Sequence, residues 1–235
     1  VSAKRCIVIP AYNEAGQIAS VIEGARKFGQ ADIVVIDDGS VDGTLDLARA
    51  AGVFVIRHPF NMGAGVATQT GYKFACKKGF ETLLQLDGDG QHHPGHIPEL
   101  FAMVEEGVCD LAIGSRFLQK CGHRTGFWKQ AGIQLFRALI RMTTGKFITD
   151  PTSGYRCMNR RVFEYFTADS YPWDYPDANV LIDLLRRGFR IAELPVAMAP
   201  NPEGRSMHRG IFRISYYFFN MFFSILVILM RRKTG

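Results

Sequence analysis

At 235 residues, 47% of them hydrophobic, the chain is long enough for one α/β domain, or a domain with a small appendage, and can bury a full core. Its formal charge is +6, but no Lys/Arg block interleaves with stacking aromatics, which argues against a nucleic-acid binder. Arg205, Arg209, Arg213, Arg231, Arg232 and Lys233 surround an apolar C-terminal segment, a grouping suited to anionic lipid or phosphate.

Apolar runs at Cys6–Ile9, Ile33–Ile36, Val53–Ile56 and Leu83–Leu86 predict buried strands. Helical patterns at Ala15–Phe28, Val41–Ala51, Ala64–Lys78 and Pro94–Glu106 follow them, and a fifth strand is expected at Leu111–Gly114. Strands alternating with helices of this length imply βαβ units and a mostly parallel sheet. Beyond Gly114 the pattern changes to a loop at Gly122–Gly126, a helix at Phe127–Met142 and a turn-rich loop at Thr149–Gly154. A short strand near Tyr155–Met158, a helix at Asp177–Arg187, a strand at Arg190–Val196 and a polar linker at Ala199–Gly210 complete this half.

Ile211–Met230 is apolar, and its ~20 residues match a hydrocarbon core of ~30 Å. Arg213, Tyr217, Asn220 and Ser224 nevertheless form a polar stripe along its first half, and basic residues flank both ends. This favours an interfacial helix, or one packed on a membrane-protein partner or another subunit, over a lone span. An amphipathic helix buried in a homo-oligomer stays open. Cys6, Cys76, Cys109, Cys121 and Cys157 are scattered, odd in number and without a CxxC pair, as expected of reduced thiols in the cytosol. No signal-peptide pattern precedes the first strand, and the chain starts at Val1 without a Met.

Residues suited to ligands follow the strands directly: Tyr12-Asn13-Glu14, Asp37-Asp38-Gly39-Ser40 and Asp87-Gly88-Asp89. Open α/β sheets bind ligands at the carboxyl ends of their strands, so these loops should line one cleft. Side chains at i and i+2 of an extended segment point the same way, so Asp87, Asp89 and Gln91 present three hard oxygens at a strand tip. Hard oxygens suit Mg²⁺ or Mn²⁺; the alternative is an acidic, glycine-rich turn. Asn61-x-Gly63-x-Gly65 fails as a dinucleotide fingerprint, because position 68 is Thr68 and the motif follows the third strand. His92, His93 and His96 lack a second ligand cluster, which argues against zinc.

Ile9-Pro10-Ala11-Tyr12-Asn13-Glu14, Asp37-Asp38-Gly39-Ser40, Asn61-Met62-Gly63-Ala64-Gly65, Asp87-Gly88-Asp89-Gly90-Gln91 and Gly114-Ser115-Arg116-Phe117 occur in one order and spacing. In this the chain resembles the family 2 inverting glycosyltransferases, in particular the dolichyl- or polyprenyl-phosphate sugar synthase branch. The match covers nearly all of residues 5–210. The resemblance implies an α/β GT-A fold over 1–210, with 211–235 as a C-terminal apolar helix, membrane-interfacial or oligomer-packing. Pro10, Tyr12, Glu14, Asp37, Asp38, Gly65, Asp87 and Asp89 are then nucleotide-sugar contacts. Either Asp37 or Asp38 accepts from the nucleobase while the other caps the next helix, and Asn13 or Glu14 alternatively serves the first helix. Asp89 becomes the principal metal ligand, with Gln91 and Asp87 assisting, since a cation neutralises a departing nucleoside diphosphate without proton transfer.

By the same resemblance Arg116 faces an acceptor phosphate, Ser153 and Arg156 belong to an acceptor-side loop, and Arg205 and Ser206 to a loop over the diphosphate. The family usually has a basic residue just after that serine; here Met207 intervenes before His208 and Arg209. Asp89, Arg116 and Asp177 are the candidate catalytic residues, and Asp177 reads equally as a base or as a helix cap. The expected reaction moves a sugar from a nucleotide donor, UDP favoured over GDP, to polyprenyl phosphate at the cytoplasmic face of the cell membrane. The alternatives are transfer to a saccharide hydroxyl and a non-catalytic nucleotide-sugar-binding scaffold subunit. A nucleotidyltransferase is disfavoured, because the first strand lacks a glycine-rich, Arg-bearing triphosphate loop.

Overall fold

The computed structural model describes residues 4–118, 127–199 and 211–231, with the side chains of 127–129, 211–215 and 218 excepted. Seven strands form one sheet: β1 (Arg5–Ala11), β2 (Asp32–Asp37), β3 (Phe54–Arg57), β4 (Thr82–Gln85), β5 (Leu111–Ser115), β6 (Arg156–Asn159) and β7 (Ile191–Pro195). Their spatial order is β3-β2-β1-β4-β6-β5-β7. Neighbours run parallel except β6, which is antiparallel to both β4 and β5. The start of β6 therefore lies at the sheet edge where the parallel strands end, with Gln85 opposite Arg156 and Arg156 opposite Ile113.

Alternation along the strands divides the core between two faces. Val8, Val34, Ile36, Leu83 and Ile113 face α3 (Ala64–Lys78), α5 (Phe127–Thr144), α6 (Arg160–Tyr165) and α7 (Ala178–Arg186). Ile7, Ile9, Val35, Leu84 and Ala112 face α1 (Ile18–Gly29), α2 (Thr44–Ala50) and α4 (Ile97–Glu105). Several helices start later than their periodicity predicts. Glu14 O accepts from Gln17 and Ile18 N–H, which turns residues 15–17 before α1, and Gly43 at φ +92° turns the chain into α2. The short α6 has no long apolar period; it starts because Asn159 Oδ1 accepts from Val162 N–H at 3.2 Å.

The C-terminal helix, α8 (Ile211–Met230), packs along α7, burying Tyr217, Met221, Ile225 and Ile228 in the core of the first face. Tyr217 and Ser224 of the polar stripe face inward together with these apolar side chains. Tyr217 Oη donates to Asp177 Oδ2 at 2.8 Å, and Asn179 Nδ2 donates to Ser224 Oγ at 2.9 Å. Phe219, Phe222, Phe223, Leu226 and Met230 are left exposed, Phe219 by 72% and Met230 by 76%. Among the described residues no helix is long and apolar enough to cross a membrane.

Candidate functional site

The carboxyl ends of β1, β2 and β4 and the start of β6 bring the motifs to one edge. Asp87 follows β4 by two residues. Its N–H donates to His92 Nδ1 at 3.2 Å, and Gly88 N–H donates to Pro10 O at 3.3 Å. Gly154 lies directly against the Asp87 carboxylate, so that a Cβ there would overlap it. Asp89 accepts from Gln91 N–H at 3.0 Å and from Gln91 Nε2 at 2.6 Å. In this arrangement Gln91 orients Asp89 and does not present its own amide oxygen as a separate ligand; its amide orientation follows from that hydrogen bond.

Burial pushes the Asp87 carboxylate above its ordinary range, opposed by Gln85, by the charges of Arg156 and Arg116, and reinforced by Asp177. Burial and the charge of Asp87 push Asp89 up as well. Two carboxylates at one mouth, each costly to ionise, form a donor set that a divalent cation would relieve. Among the described residues no three or more His, Cys, Asp or Glu side chains are grouped to hold a metal unaided. Such a set fits a cation that completes its shell from substrate phosphate. His92 is buried, stacks on Tyr155 with ring centres 4.7 Å apart, and is pushed down to about 4 by burial. It is a neutral prop for Asp87. His93 Nδ1 accepts from Gly95 N–H and His96 Nε2 from Ala197 N–H, so the three histidines serve separate local bonds.

Arg116, just past β5, forks onto Asp150 at 2.6 and 2.7 Å and donates to Thr152 Oγ1 at 2.8 Å. This is a buried pair, with side-chain exposures of 9% and 0%, and not the surface ion pair that a lone Arg most often makes. Asp150 N–H and the Thr149 hydroxyl donate to Glu193 Oε1 at 2.8 Å each, and Arg137 of α5 donates to Thr149 O at 2.7 Å. Glu193 and Arg137 thus fix the loop at residues 149–154. Sequence reasoning missed both, because their partners are 44 and 12 residues away and no motif links them.

Three expected roles change. Ser153 is buried and donates its hydroxyl to Gly114 O at 2.7 Å, so it braces the loop against β5. Arg156, expected in an acceptor-side loop, is 2% exposed and donates to Ser153 O at 2.7 Å and Pro176 O at 2.8 Å, with Asp177 Oδ1 at 3.9 Å. Its charge reaches the site, while its donors hold the chain. Asp177 occupies the residue before α7, yet makes no side-chain cap bond to it. Its carboxylate turns instead to Tyr217 and Arg156.

At the other end, Tyr12 is 45% exposed, and Pro10 and Glu14 are partly buried. Asn13 does not serve the start of α1: its Oδ1 accepts from Val41 N–H at 3.0 Å, tying the first loop to the second, while Glu14 O accepts from Ile18 N–H. Neither Asp37 nor Asp38 caps α2. Asp38 accepts from Met62 and Gly63 N–H at 2.9 Å each and meets His58 Nδ1 at 2.7 Å, which fixes the loop before α3. Asp37 Oδ1 accepts from Ser40 N–H at 3.3 Å, while Oδ2 accepts no hydrogen bond among the described residues and lies 3.5 Å from Arg57 Nε. Gly65 permits a close approach, but to the Pro172–Trp173 backbone; it is Gly71 that lets α3 approach Val8 of the sheet. Arg205 and Ser206 lie outside the described residues.

The model of the family described as "Glycosyl transferase family 2" matches residues 6–166. The chain is 30% identical over 216 residues to polyprenol monophosphomannose synthase of Mycolicibacterium smegmatis, covering 87% of this chain and 80% of that protein. It is 29% identical over 215 residues to undecaprenyl-phosphate mannosyltransferase of Micrococcus luteus, covering 86% of each. Among solved structures it is similar to glucosyl-3-phosphoglycerate synthase of Mycobacterium tuberculosis, with a TM-score of 0.74 at 20% identity, over all of this chain and 81% of that one. The sheet and its flanking helices thus form the expected GT-A fold. The motifs along the sheet edge are those of a glycosyltransferase enzyme, and the chain belongs to glycosyl transferase family 2.

Proposed function

We propose that the chain transfers a sugar, with inversion, from a UDP-linked donor to a polyprenyl phosphate at the cytoplasmic face of the cell membrane, using Mg²⁺ or Mn²⁺. The observation that carries this reading is a juxtaposition. Asp87 and Arg116 both lie within electrostatic reach of Asp177, which accepts from Tyr217 on a helix with an exposed aromatic face. The names of the two mannosyl-transferring relatives support the acceptor, and the Mn²⁺ and UDP bound in the solved mycobacterial neighbour support donor and cation.

In this reading the exposed Tyr12 ring stacks on the base and Asp37 accepts from it, with Pro10 and Glu14 lining the nucleotide. Asp89, oriented by Gln91, and Asp87, held by His92 and Gly154, are the residues that would hold the cation. When bound, the cation neutralises charge on the departing diphosphate. Arg116 and Arg156 supply positive charge at the acceptor end. A lipid phosphate is already anionic near pH 7, so orientation and charge compensation suffice and no general base is needed. The aromatic face of α8 rests on the membrane surface, which brings the acceptor phosphate to the site.

A second reading, transfer to a saccharide hydroxyl, is favoured by one observation: the Asp177 carboxylate does not cap α7 but is held by Tyr217 and Arg156 within electrostatic reach of Asp87, where a base would be placed. Donor consumption by purified protein with Mn²⁺ separates the two. UDP- and GDP-linked sugars, including mannose, are tested with and without polyprenyl phosphate. Turnover that requires polyprenyl phosphate and survives Asp177→Asn supports the first reading. Turnover with a soluble saccharide that is abolished by Asp177→Asn supports the second.

A further inference from the structure

Two polar side chains of α8, Tyr217 and Ser224, bond to α7 and the residue before it. Tyr217 Oη donates to Asp177 Oδ2 at 2.8 Å. The Tyr217 ring meets Tyr175 edge-on at 4.7 Å and Phe136 of α5 edge-on at 5.8 Å. Tyr217 is 8% exposed, and burial together with the charge of Asp177 pushes its hydroxyl far above the ordinary range, so it remains a proton donor. The chain it grips is unusual. Tyr175 has φ +50°, a left-handed conformation costly for a bulky residue, and Asp177 N–H donates back to Tyr175 O at 2.9 Å. Arg156 takes Pro176 O from the other side at 2.8 Å. Three consecutive residues, Tyr175 to Asp177, are therefore clamped between β6 and α8. The result holds Asp177 near Arg156 and within electrostatic reach of Asp87 and Arg116.

We propose that Tyr217 is a positioning residue for Asp177, making α8 a structural part of the acceptor end of the transfer site. The proposal rests on reading this sheet edge as that site. A hydroxyl on α8 fixes the carboxylate against Arg156, and the opposite side of the same helix carries the exposed Phe219, Phe222 and Phe223. How α8 is seated thereby bears on the geometry met by the acceptor, with no need for α8 to touch the acceptor itself. Side chains held by an outer layer of hydrogen bonds lose productive geometry when that layer is removed, even where the fold persists.

The test uses full-length protein, UDP-sugar, Mn²⁺ and polyprenyl phosphate, with KM and kcat measured separately for donor and acceptor. Tyr217→Phe keeps the ring contacts and removes only the hydroxyl. It should leave UDP binding and donor KM unchanged and lower kcat/KM for the acceptor roughly tenfold, the scale of one hydrogen bond to a charged group. Because Tyr217 acts through Asp177, the double variant with Asp177→Asn should match Asp177→Asn alone. Ser224→Ala removes the other hydroxyl bond between α8 and α7 without touching Asp177, and should leave the acceptor parameters alone.

Additive losses in the double variant overturn the proposal. So does an Asp177→Asn variant without effect on the acceptor parameters, a Tyr217→Phe variant with wild-type acceptor kinetics, or a Ser224→Ala variant with the same loss as Tyr217→Phe. Wild-type protein that binds UDP but consumes no donor with polyprenyl phosphate overturns the functional reading and the proposal together. Wild-type turnover with an unaffected Tyr217→Phe variant overturns only the proposal.

Discussion

Gly154 lies so close to the carboxylate of Asp87 that no side chain fits between them. The loop that carries Gly154 also carries Asp150, the partner of Arg116, so the same few residues shape both ends of the site. Replacing Gly154 with Ala should displace Asp87 or tilt the loop, at a cost of about 1–3 kcal/mol for an overpacked contact. The expected outcome is a folded protein with a lower Tm and a donor turnover reduced well beyond that loss, measured by UDP release. Wild-type turnover in Gly154→Ala would mean that Asp87 has no precise position to keep.

The Arg116–Asp150 pair is the next point of failure. Removing one partner of a buried ion pair leaves a buried charge uncompensated, so Arg116→Ala should lose about 3–5 kcal/mol in denaturant unfolding. The pH dependence has a definite sign. Burial pushes Asp150 up, but the hydrogen bonds and charge of Arg116 outweigh it and hold the carboxyl below its ordinary range. A depressed carboxylate contributes stability that is complete above the unfolded value of ~3.9 and is lost as pH falls through the folded one. The stability gap between wild type and Asp150→Asn should therefore be constant from pH 8 to pH 5 and close below about pH 4.

The sequence carried the first half of the fold clearly, because β1 to β5 are continuous apolar runs and the residues after them are chemically distinctive. Tyr12, Asp37, Asp87 and Asp89 could be singled out on that basis. The roles of Arg156 and Tyr217 could not. Arg156 turns inward because Gln85 of β4 and Ile113 of β5 flank it in an antiparallel register, which brings Pro176 O within reach of its guanidinium. Tyr217 and Ser224 were legible as a polar stripe, but periodicity shows only that residues share a face. Which face meets the body depends on partners such as Asp177 and Asn179, some 40 residues earlier.

Asp89 and His92 should pull stability in opposite directions with pH, in metal-free buffer. The Asp89 carboxyl is raised by burial and by Asp87, so its contribution is lost as pH rises from ~3.9 through the folded value. Asp89→Asn should therefore raise Tm at pH 7 while reducing turnover roughly a hundredfold or more, the scale of a lost charge-stabilising group. His92 is pushed down to about 4 by burial, so its contribution is present above ~6.5 and lost as pH falls toward 4. His92→Gln should flatten the Tm profile between those values. A Tm for Asp89→Asn below that of wild type at pH 7 would show that Asp89 is not held against a burial cost.

The exposed side of α8 gives the last expectation. Phe219, Phe222, Phe223, Leu226 and Met230 form a continuous apolar strip, although the inner side of the same helix is already satisfied by the body. Burying a phenylalanine is worth about 1.5–3 kcal/mol, so three of them dominate any docking on this face. Arg231, at the end of the strip, adds attraction to anionic lipid. Replacing Phe219, Phe222 and Phe223 together by Ser should leave UDP binding and the folded spectrum intact, because none of the three is buried. Sedimentation with vesicles containing anionic lipid should fall by two orders of magnitude or more, roughly what the lost burial amounts to. Wild-type protein that stays in the supernatant and elutes as a dimer, with the triple variant eluting as a monomer, would instead assign the strip to a second copy of the chain.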